Sequence, residues 1–258
     1  SDISSYGNPA SLFGSSYGLD RHGSASGALD FNGSQNNYAE IPNAAQYAFG
    51  QGDFTTSFWL RGDVQNLYGQ FYSCVLVKAS NPSEPYEGIT LFLRQNGSGR
   101  ATARTTFTEE LVSASSNMDS HQWHLLTLTR HGPNLTIYVD GAFDATRVDS
   151  QTDVTNAAPI VLGANHSSRT FQNYHGALDE LRLYNRALSP AEVAALHDLE
   201  KPIAPHLAQA AANLEMLWCP PGTFTMGSPT TEAGRTSEET QHQIGHQHPV
   251  RCFLGSRL

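Results

Sequence analysis

The chain has 258 residues, 39% of them hydrophobic and only 15% charged, against about 25% charged in an average globular domain. Disorder driven by charge is excluded, and the Ser, Thr, Asn, Gln and Gly that fill the shortfall favour strands and turns over surface helices. Fifteen basic residues against 24 acidic ones, a net charge of −9, argue against nucleic acid or an anionic membrane as partner, since both are bound by clustered Lys and Arg.

Along the chain, Ser1 to Gly7 has neither the basic start nor the apolar run of a secretory signal, so any export signal is expected to be absent or already removed. No apolar run approaches the ~18 residues of a span, and no membrane insertion is expected. From Gly27 to about Tyr184 apolar residues alternate between short turn sequences, the pattern of an antiparallel sandwich. Ala28 to Asn32 and Tyr38 to Ile41 flank the turn GSQNN and read as a hairpin with a long loop. Phe54 to Arg61 sets Phe54, Thr56, Phe58 and Leu60 on one face and Thr55, Ser57, Trp59 and Arg61 on the other. Further strands are expected at Ser73 to Lys78, at Gly88 to Arg94 joined to Ala101 to Phe107, and at Trp123 to Arg130 joined to Leu135 to Val139. Ile160 to Gly163 and Leu178 to Tyr184 close the set. The expected core includes Leu29, Phe31, Ile41, Phe58, Trp59, Leu91, Trp123, Leu126, Leu128, Ile137, Val139, Leu162, Leu181 and Leu183.

One helix is announced by its punctuation. Ser189, Pro190 and Glu192 occupy the N-cap, N1 and N3 positions of a capping box, which predicts a helix from Pro190 to about Leu199. Lys201 to His206 carries two prolines and reads as a linker. The expected division is therefore a β domain over residues 1–200, a linker with a helix-compatible stretch over 201–215, and a separate fragment over 216–258. From Thr230 to His248 the one strongly apolar residue is Ile244. Residues 230–258 are accordingly expected to be mobile, because little surface offsets an ordering cost of ~1–2 kcal/mol per residue.

Three segments of the β domain resemble the laminin-G-like group of the concanavalin A-like lectin/glucanase superfamily: Gly27 to Pro42 with Asp53 to Leu60, Trp123 to Gly141 with its Tyr-Val-Asp-Gly turn, and Gly176 to Ser189. The resemblance implies an all-β, two-sheet jelly-roll sandwich in a secreted, cell-surface or periplasmic setting. The tail resembles another family. Met216 to Gly234, with Arg235, Glu238 and Glu239, is similar to the opening of formylglycine-generating (sulfatase-modifying factor) enzymes. After Gln241 the sequence leaves that family's pattern, and the segment reads as a truncated remnant to which no activity carries over.

Four kinds of chemistry bear on these segments. A glycoside hydrolase on this fold needs two carboxylates facing one cleft ~5 to 5.5 Å apart. No Glu-x-Asp-x-x-Glu run exists, and Asp179 and Glu180 are adjacent, so a strand points them apart. Calcium wants several oxygens; Asp30, Asn32 and Gly33 at the end of the first hairpin strand and Asp179 in the closing strand could converge on one structural ion. The alternative is a solvated Asp30 and a turn-forming Asn32. Glycans need exposed aromatic faces beside amides and Arg. Asn165, Arg169, Phe171, Asn173 and Tyr174, with Tyr86 and the loop aromatics Tyr68 and Tyr72, are the richest such set. The alternative there is that Phe171 and Tyr174 tuck beneath their own loop.

The remaining residues carry less. His242, His246, His248 and Cys252 could chelate a transition metal, a spacing that is usually adventitious without a folded surround. Cys74 reads as a buried small hydrophobe, and the spacing of Cys219 and Cys252 demands no disulfide. The expected function is a monomeric, non-catalytic, extracellular module that binds a glycan or a protein, with or without Ca2+. The alternatives are an inert spacer, an accessory domain of a sulfatase-modifying enzyme, and a glycoside hydrolase.

Overall fold

A computed structural model describes residues 6–63, 71–80, 88–106, 109–165 and 169–202, together with the backbone of four strands between 216 and 253. Two units divide at Pro202, and each is described by itself. The first runs β1 (Ser11–Phe13), β2 (Ser16–Gly18), β3 (Ala28–Asn32), β4 (Tyr38–Ile41), β5 (Phe54–Gly62), β6 (Tyr72–Ala79), β7 (Gly88–Arg94), β8 (Ala101–Arg104) and β9 (Glu110–Val112). It continues with β10 (His124–His131), β11 (Asn134–Val139), β12 (Ala142–Val148), β13 (Ile160–Leu162), β14 (His175–Tyr184) and helix α1 (Pro190–Glu200). No helix among the described residues is long and apolar enough to cross a membrane.

These strands form two seven-stranded antiparallel sheets, the sandwich that the alternation predicts and the jelly roll that the resemblance implies. Sheet I has the order β1-β4-β13-β6-β7-β8-β9 and sheet II the order β12-β11-β10-β5-β14-β3-β2. Period-two side-chain direction places Phe54, Phe58 and Leu60 of β5 in the core between them, against Leu76, Leu91 and Leu162 from sheet I. The expected core holds for Phe31, Ile41, Phe58, Leu91, Leu126, Leu128, Ile137 and Leu162, with Leu29, Val139, Leu181 and Leu183 packed at its margin. Helix α1 begins at its capping box: Ser189 accepts from the Glu192 amide, and Glu192 accepts from the Ser189 amide in return.

Three expectations need correction. The segments around GSQNN do not form a hairpin. β3 lies between β14 and β2 in sheet II, whereas β4 lies between β1 and β13 in sheet I, so the loop crosses from one sheet to the other. Positive φ at Gly33 (71°) and Asn36 (61°) redirects the chain there, and Asn37 holds the turn through bonds to the Asn32 amide and the Gly14 carbonyl. Trp59 is buried, 1% exposed, but on the outward face of sheet II, where α1 supplies its cover. Trp123 precedes β10 rather than lying within it and is half-buried, with Arg61 stacked 5.5 Å above its ring.

In the second unit, β15 (Met216–Cys219) pairs with β18 (Val250–Phe253), and β16 (Gly222–Met226) pairs with β17 (His242–His246). Two of these strands fall in the stretch expected to be mobile. The register sets Ile244 opposite Phe224 and Phe253 opposite Met216. Residues 203–215, and with them most of the expected linker and helix-compatible stretch, lie outside the described residues.

Candidate functional site

Alternation along sheet I sends Leu91 and Leu93 of β7 and Ala101 and Ala103 of β8 into the core. The same pleat turns Phe92 and Arg94 of β7, and Thr102 and Arg104 of β8, onto the outward face. There Cys74, Val77, Phe92 and Val161 make a second apolar cluster, with Tyr38 and Tyr72 at its edges. Register sets Tyr72 opposite Arg94, Cys74 opposite Phe92, and Arg104 opposite Glu110. The pairs become a network. The Arg94 guanidinium lies 5.8 Å from the Tyr72 ring centre, and that of Arg104 lies 5.4 Å from Tyr72 and 4.9 Å from Phe92.

One carboxylate ties this network together. Glu110 accepts from Arg94 Nη2 at 2.5 Å, from Arg104 Nη2, and from the Tyr72 hydroxyl at 3.2 Å. Burial alone would raise its carboxyl, but the Arg104 hydrogen bond and charge, with Arg94 and Tyr72, bring it below the ordinary value. Arg94 Nε also donates to Thr102 Oγ1 at 3.1 Å. Beside the network, Phe71, Tyr72, Arg94 and Asn96 line a small depression of about 160 Å³. Phe71 is 76% exposed, yet its backbone is fixed, because its carbonyl accepts from the Gln95 amide at 2.8 Å. Asn96 Oδ1 accepts from the Ser98 amide and hydroxyl. Its amide nitrogen makes no hydrogen bond among the described residues.

The loop between β13 and β14 is built differently from the expected binding set. Tyr174 is 1% exposed, stands edge-on to Phe31 at 6.0 Å and belongs to the core. Asn173 is buried and donates to the Arg169 carbonyl at 3.0 Å. Arg169 is paired with Glu40, stacks 5.2 Å from Tyr38 and donates to the Asn165 carbonyl at 2.9 Å. The Asn165 amide group donates to Gln172 Oε1 at 2.8 Å. These four side chains hold the loop together; Phe171, 49% exposed, is the aromatic of the set that faces solvent. Gln172, next to it, has φ of 55° and a carbonyl that accepts from the Cys74 amide at 2.7 Å, so the loop closes over the beginning of β6. Tyr68 and Tyr86 lie outside the described residues.

For the expected ion site, β3 and β14 are indeed neighbours, with Asp30 opposite Ala177 and Asn32 opposite His175. Asp30 faces Arg61 at 3.6 Å, and Asp179 is paired with Arg21. Burial outweighs that arginine, so the Asp179 carboxyl lies above its ordinary value. Asn32 Oδ1 accepts from the Ser34 amide and hydroxyl, and Gly33 supplies the left-handed turn. Among the described residues no three His, Cys, Asp or Glu side chains are grouped to hold a metal ion. For the His242, His246 and Cys252 spacing, the backbone places the first two in β17 and the third in β18.

The rim residues Phe71, Arg94, Arg104 and Glu110 were missed by sequence reasoning. The available signal was a period of two, Phe92-x-Arg94 in one strand and Thr102-x-Arg104 in the strand joined to it, which puts two arginines on one face.

The Laminin_G_3 family model, described as Concanavalin A-like lectin/glucanases superfamily, matches residues 32–194. It does not extend to the tail. No curated protein matches the sequence. Among solved structures, the chain is similar to the binding domain of Paraclostridial Mosquitocidal Protein 1, with a TM-score of 0.63 and 17% identity over 88% of this chain and 54% of that one. The botulinum neurotoxin serotype D ligand binding domain, solved in complex with N-acetylneuraminic acid, gives 0.59 and 12% over 77% and 48%. A Trypanosoma rangeli sialidase in complex with the inhibitor DANA gives 0.51 and 19% over 73% and 29%. These likenesses concern the fold, and the chain spans about half the length of the two binding domains.

Proposed function

This chain belongs to the concanavalin A-like lectin/glucanases superfamily, and we propose that it is a non-catalytic, extracellular glycan-binding module whose ligand seats on the rim of Phe71, Tyr72, Arg94 and Asn96. The observation that carries the reading is Phe71: a large aromatic ring, 76% exposed, on a backbone bonded to Gln95 just past β7, beside a depression lined by a phenol, a guanidinium and an amide. A sugar offers C–H faces to such a ring and hydroxyls to such donors. The neurotoxin domain solved with N-acetylneuraminic acid lends support from a chain of the same fold. Glu110, held ionised between two arginines, suits a counter-ion rather than a proton donor to a glycosidic oxygen.

The test is a glycan array probed with the full chain, with and without calcium, followed by Phe71→Ala. The expected result is a defined set of bound glycans and a loss of about tenfold or more in affinity on removing the ring, in line with the ~1–3 kcal/mol of a stacking contact. Binding that requires calcium would make Asp30, Asn32, Gly33 and Asp179 the first positions to vary for the ion. No binding in either condition would replace this reading with a spacer, and turnover of a glycan would replace it with a hydrolase. The resemblance of Met216 to Gly234 favours a second reading, a part in sulfatase modification. That part would be an accessory domain's, since no activity carries over to the remnant, and specific binding of the chain to a formylglycine-generating enzyme would support it.

A further inference from the structure

We infer that Asn96 is a site of spontaneous self-modification, where the chain converts its own side-chain amide to a carboxylate with loss of ammonia. The inference stands apart from the glycan reading above. The sequence holds two Asn-Gly pairs, Asn32-Gly33 and Asn96-Gly97, each followed by a serine. In such a pair the glycine amide nitrogen attacks the Cγ of the preceding Asn with no Cβ to crowd the approach. The structure gives the two sites the same activating contacts. Asn96 Oδ1 accepts from the Ser98 amide at 3.2 Å and from its hydroxyl at 2.6 Å, and Asn32 Oδ1 accepts from the Ser34 amide at 2.9 Å and from its hydroxyl at 2.6 Å. Two donors on one carbonyl oxygen stabilise the negative charge that develops there under attack, as an oxyanion hole does.

The backbone around the glycine separates the sites. Asn96 and Gly97 are both exposed, and nothing lies within 4 Å of the place a Gly97 Cβ would take. The Gly97 amide donates to no acceptor among the described residues. Bonds on either side, from the Gln95 amide to the Phe71 carbonyl and from the Asn117 amide to the Ser98 carbonyl, hold the turn and its donors in place. Asn32, by contrast, is the last residue of β3, opposite His175; its amide is bound to Asn37 Oδ1, and Gly33 is buried. Ring closure at Asn32 has to disturb a paired and buried backbone, and at Asn96 it does not.

The step balances with water alone. The Gly97 nitrogen bonds to Asn96 Cγ, the Cγ–Nδ2 bond breaks, and Nδ2 leaves as ammonia with the proton of the Gly97 amide. Water then opens the cyclic imide at one carbonyl or the other, giving aspartate or isoaspartate. Either product sets a carboxylate among Phe71, Tyr72 and Arg94, which line the depression with this residue. Isoaspartate also routes the main chain through one extra carbon between β7 and β8. The chemistry of the rim therefore changes with the age of the chain.

The experiment incubates the full chain at mildly alkaline pH, native and in urea, and follows both Asn-Gly peptides by mass spectrometry. In the native chain Asn96 should convert at least ~10-fold faster than Asn32, and in urea the two rates should converge. Ser98→Ala should slow Asn96 by about threefold or more in the native chain and leave Asn32 unchanged. If that variant melts early, the ratio of the two rates in the natural chain decides. Equal native rates at the two sites, or an intact native Asn96 over a time in which the unfolded chain converts, would overturn the inference. No glycan enters the measurement, so neither result bears on the binding reading.

Discussion

Glu192 serves two structures with one carboxylate. Its Oε2 accepts from the Ser189 amide at 2.8 Å, completing the capping box, and the two oxygens together accept from Arg186 at 2.8 and 3.0 Å. The Arg186 hydrogen bonds, then the Ser189 contacts, bring its pKa down from 4.5 to about 2. A carboxylate with a depressed folded-state pKa contributes stability above its unfolded value and loses it as pH falls through the folded one. The denaturation midpoint followed from pH 6 to pH 2 should therefore show a decline between about 4.5 and about 2 that Glu192→Gln flattens; an identical slope in the variant would refute the assignment. Cys74 gives the opposite case. Burial pushes its thiol up to about 12, so alkylation followed by peptide mapping should leave it unmodified in the native chain and label it once unfolded. Both residues were legible in the sequence, because a capping box and an apolar run around a Cys are local patterns. Which aromatic of the loop before β14 turns inward was not legible. Phe171 and Tyr174 are separated by the left-handed Gln172 and anchored by Gly163, whose carbonyl accepts from the Tyr174 amide, and that bond joins residues from different turns of the chain.

At the scale of elements, strand existence was readable where apolar residues alternate over five or more positions, as in β5, β7, β10 and β11. The short strands β1, β2 and β9 and the exposed edge strand β12 were not read, since their burial is partial and gives no period. Sheet membership is a different matter. A five-residue connection fits both a hairpin and a crossing, and the choice for β3 and β4 is made by non-local partners, β14 for one and β13 for the other. Asn37 is the side chain that holds the crossing: 3% exposed, it accepts from the Asn32 amide at 3.0 Å and donates to the Gly14 carbonyl at 2.5 Å. Asn37→Ala leaves a buried donor and a buried acceptor without partners and should cost ~1–3 kcal/mol. Urea unfolding measures it, and Asn37→Asp, which sets a buried carboxylate against the Gly14 carbonyl, should cost at least as much. A loss under ~0.5 kcal/mol for the alanine variant would show that the crossing is held elsewhere.

Over the whole first unit, the segment around Arg21 and the end of α1 meet on the outward face of sheet II. Arg21 donates through Nε to the Glu200 carbonyl at 2.7 Å and pairs with Asp179. Glu200 accepts from Trp59 Nε1 at 3.0 Å and pairs with Arg182 at 2.6 Å, and His197 stacks 5.6 Å from the Trp59 ring. Trp59 looked like core in the sequence for a sound reason: it is as buried as a core residue, but its cover is the last turn of α1 and the strand-free segment around Arg21. In this latch, Arg21 and Glu200 lie outside the span 32–194 matched by the family model, whereas Trp59, Asp179 and Arg182 lie within it. Because Glu200 is 6% exposed, its removal leaves the indole N–H without its acceptor, while Arg182 keeps its pair with Glu180 at 2.7 Å. Glu200→Ala should cost ~1–3 kcal/mol, the usual consequence of leaving a buried donor unsatisfied, and lower the melting midpoint by about 2–4 °C per kcal/mol for a unit of this size. Glu200→Gln retains acceptors for Trp59 and Arg182 and should lose less than half as much. The rim on sheet I stands on the opposite sheet, away from these contacts, so saccharide affinity below the melting range should be the same in all three proteins; a parallel fall in affinity would mean that the latch and the rim are one cooperative structure.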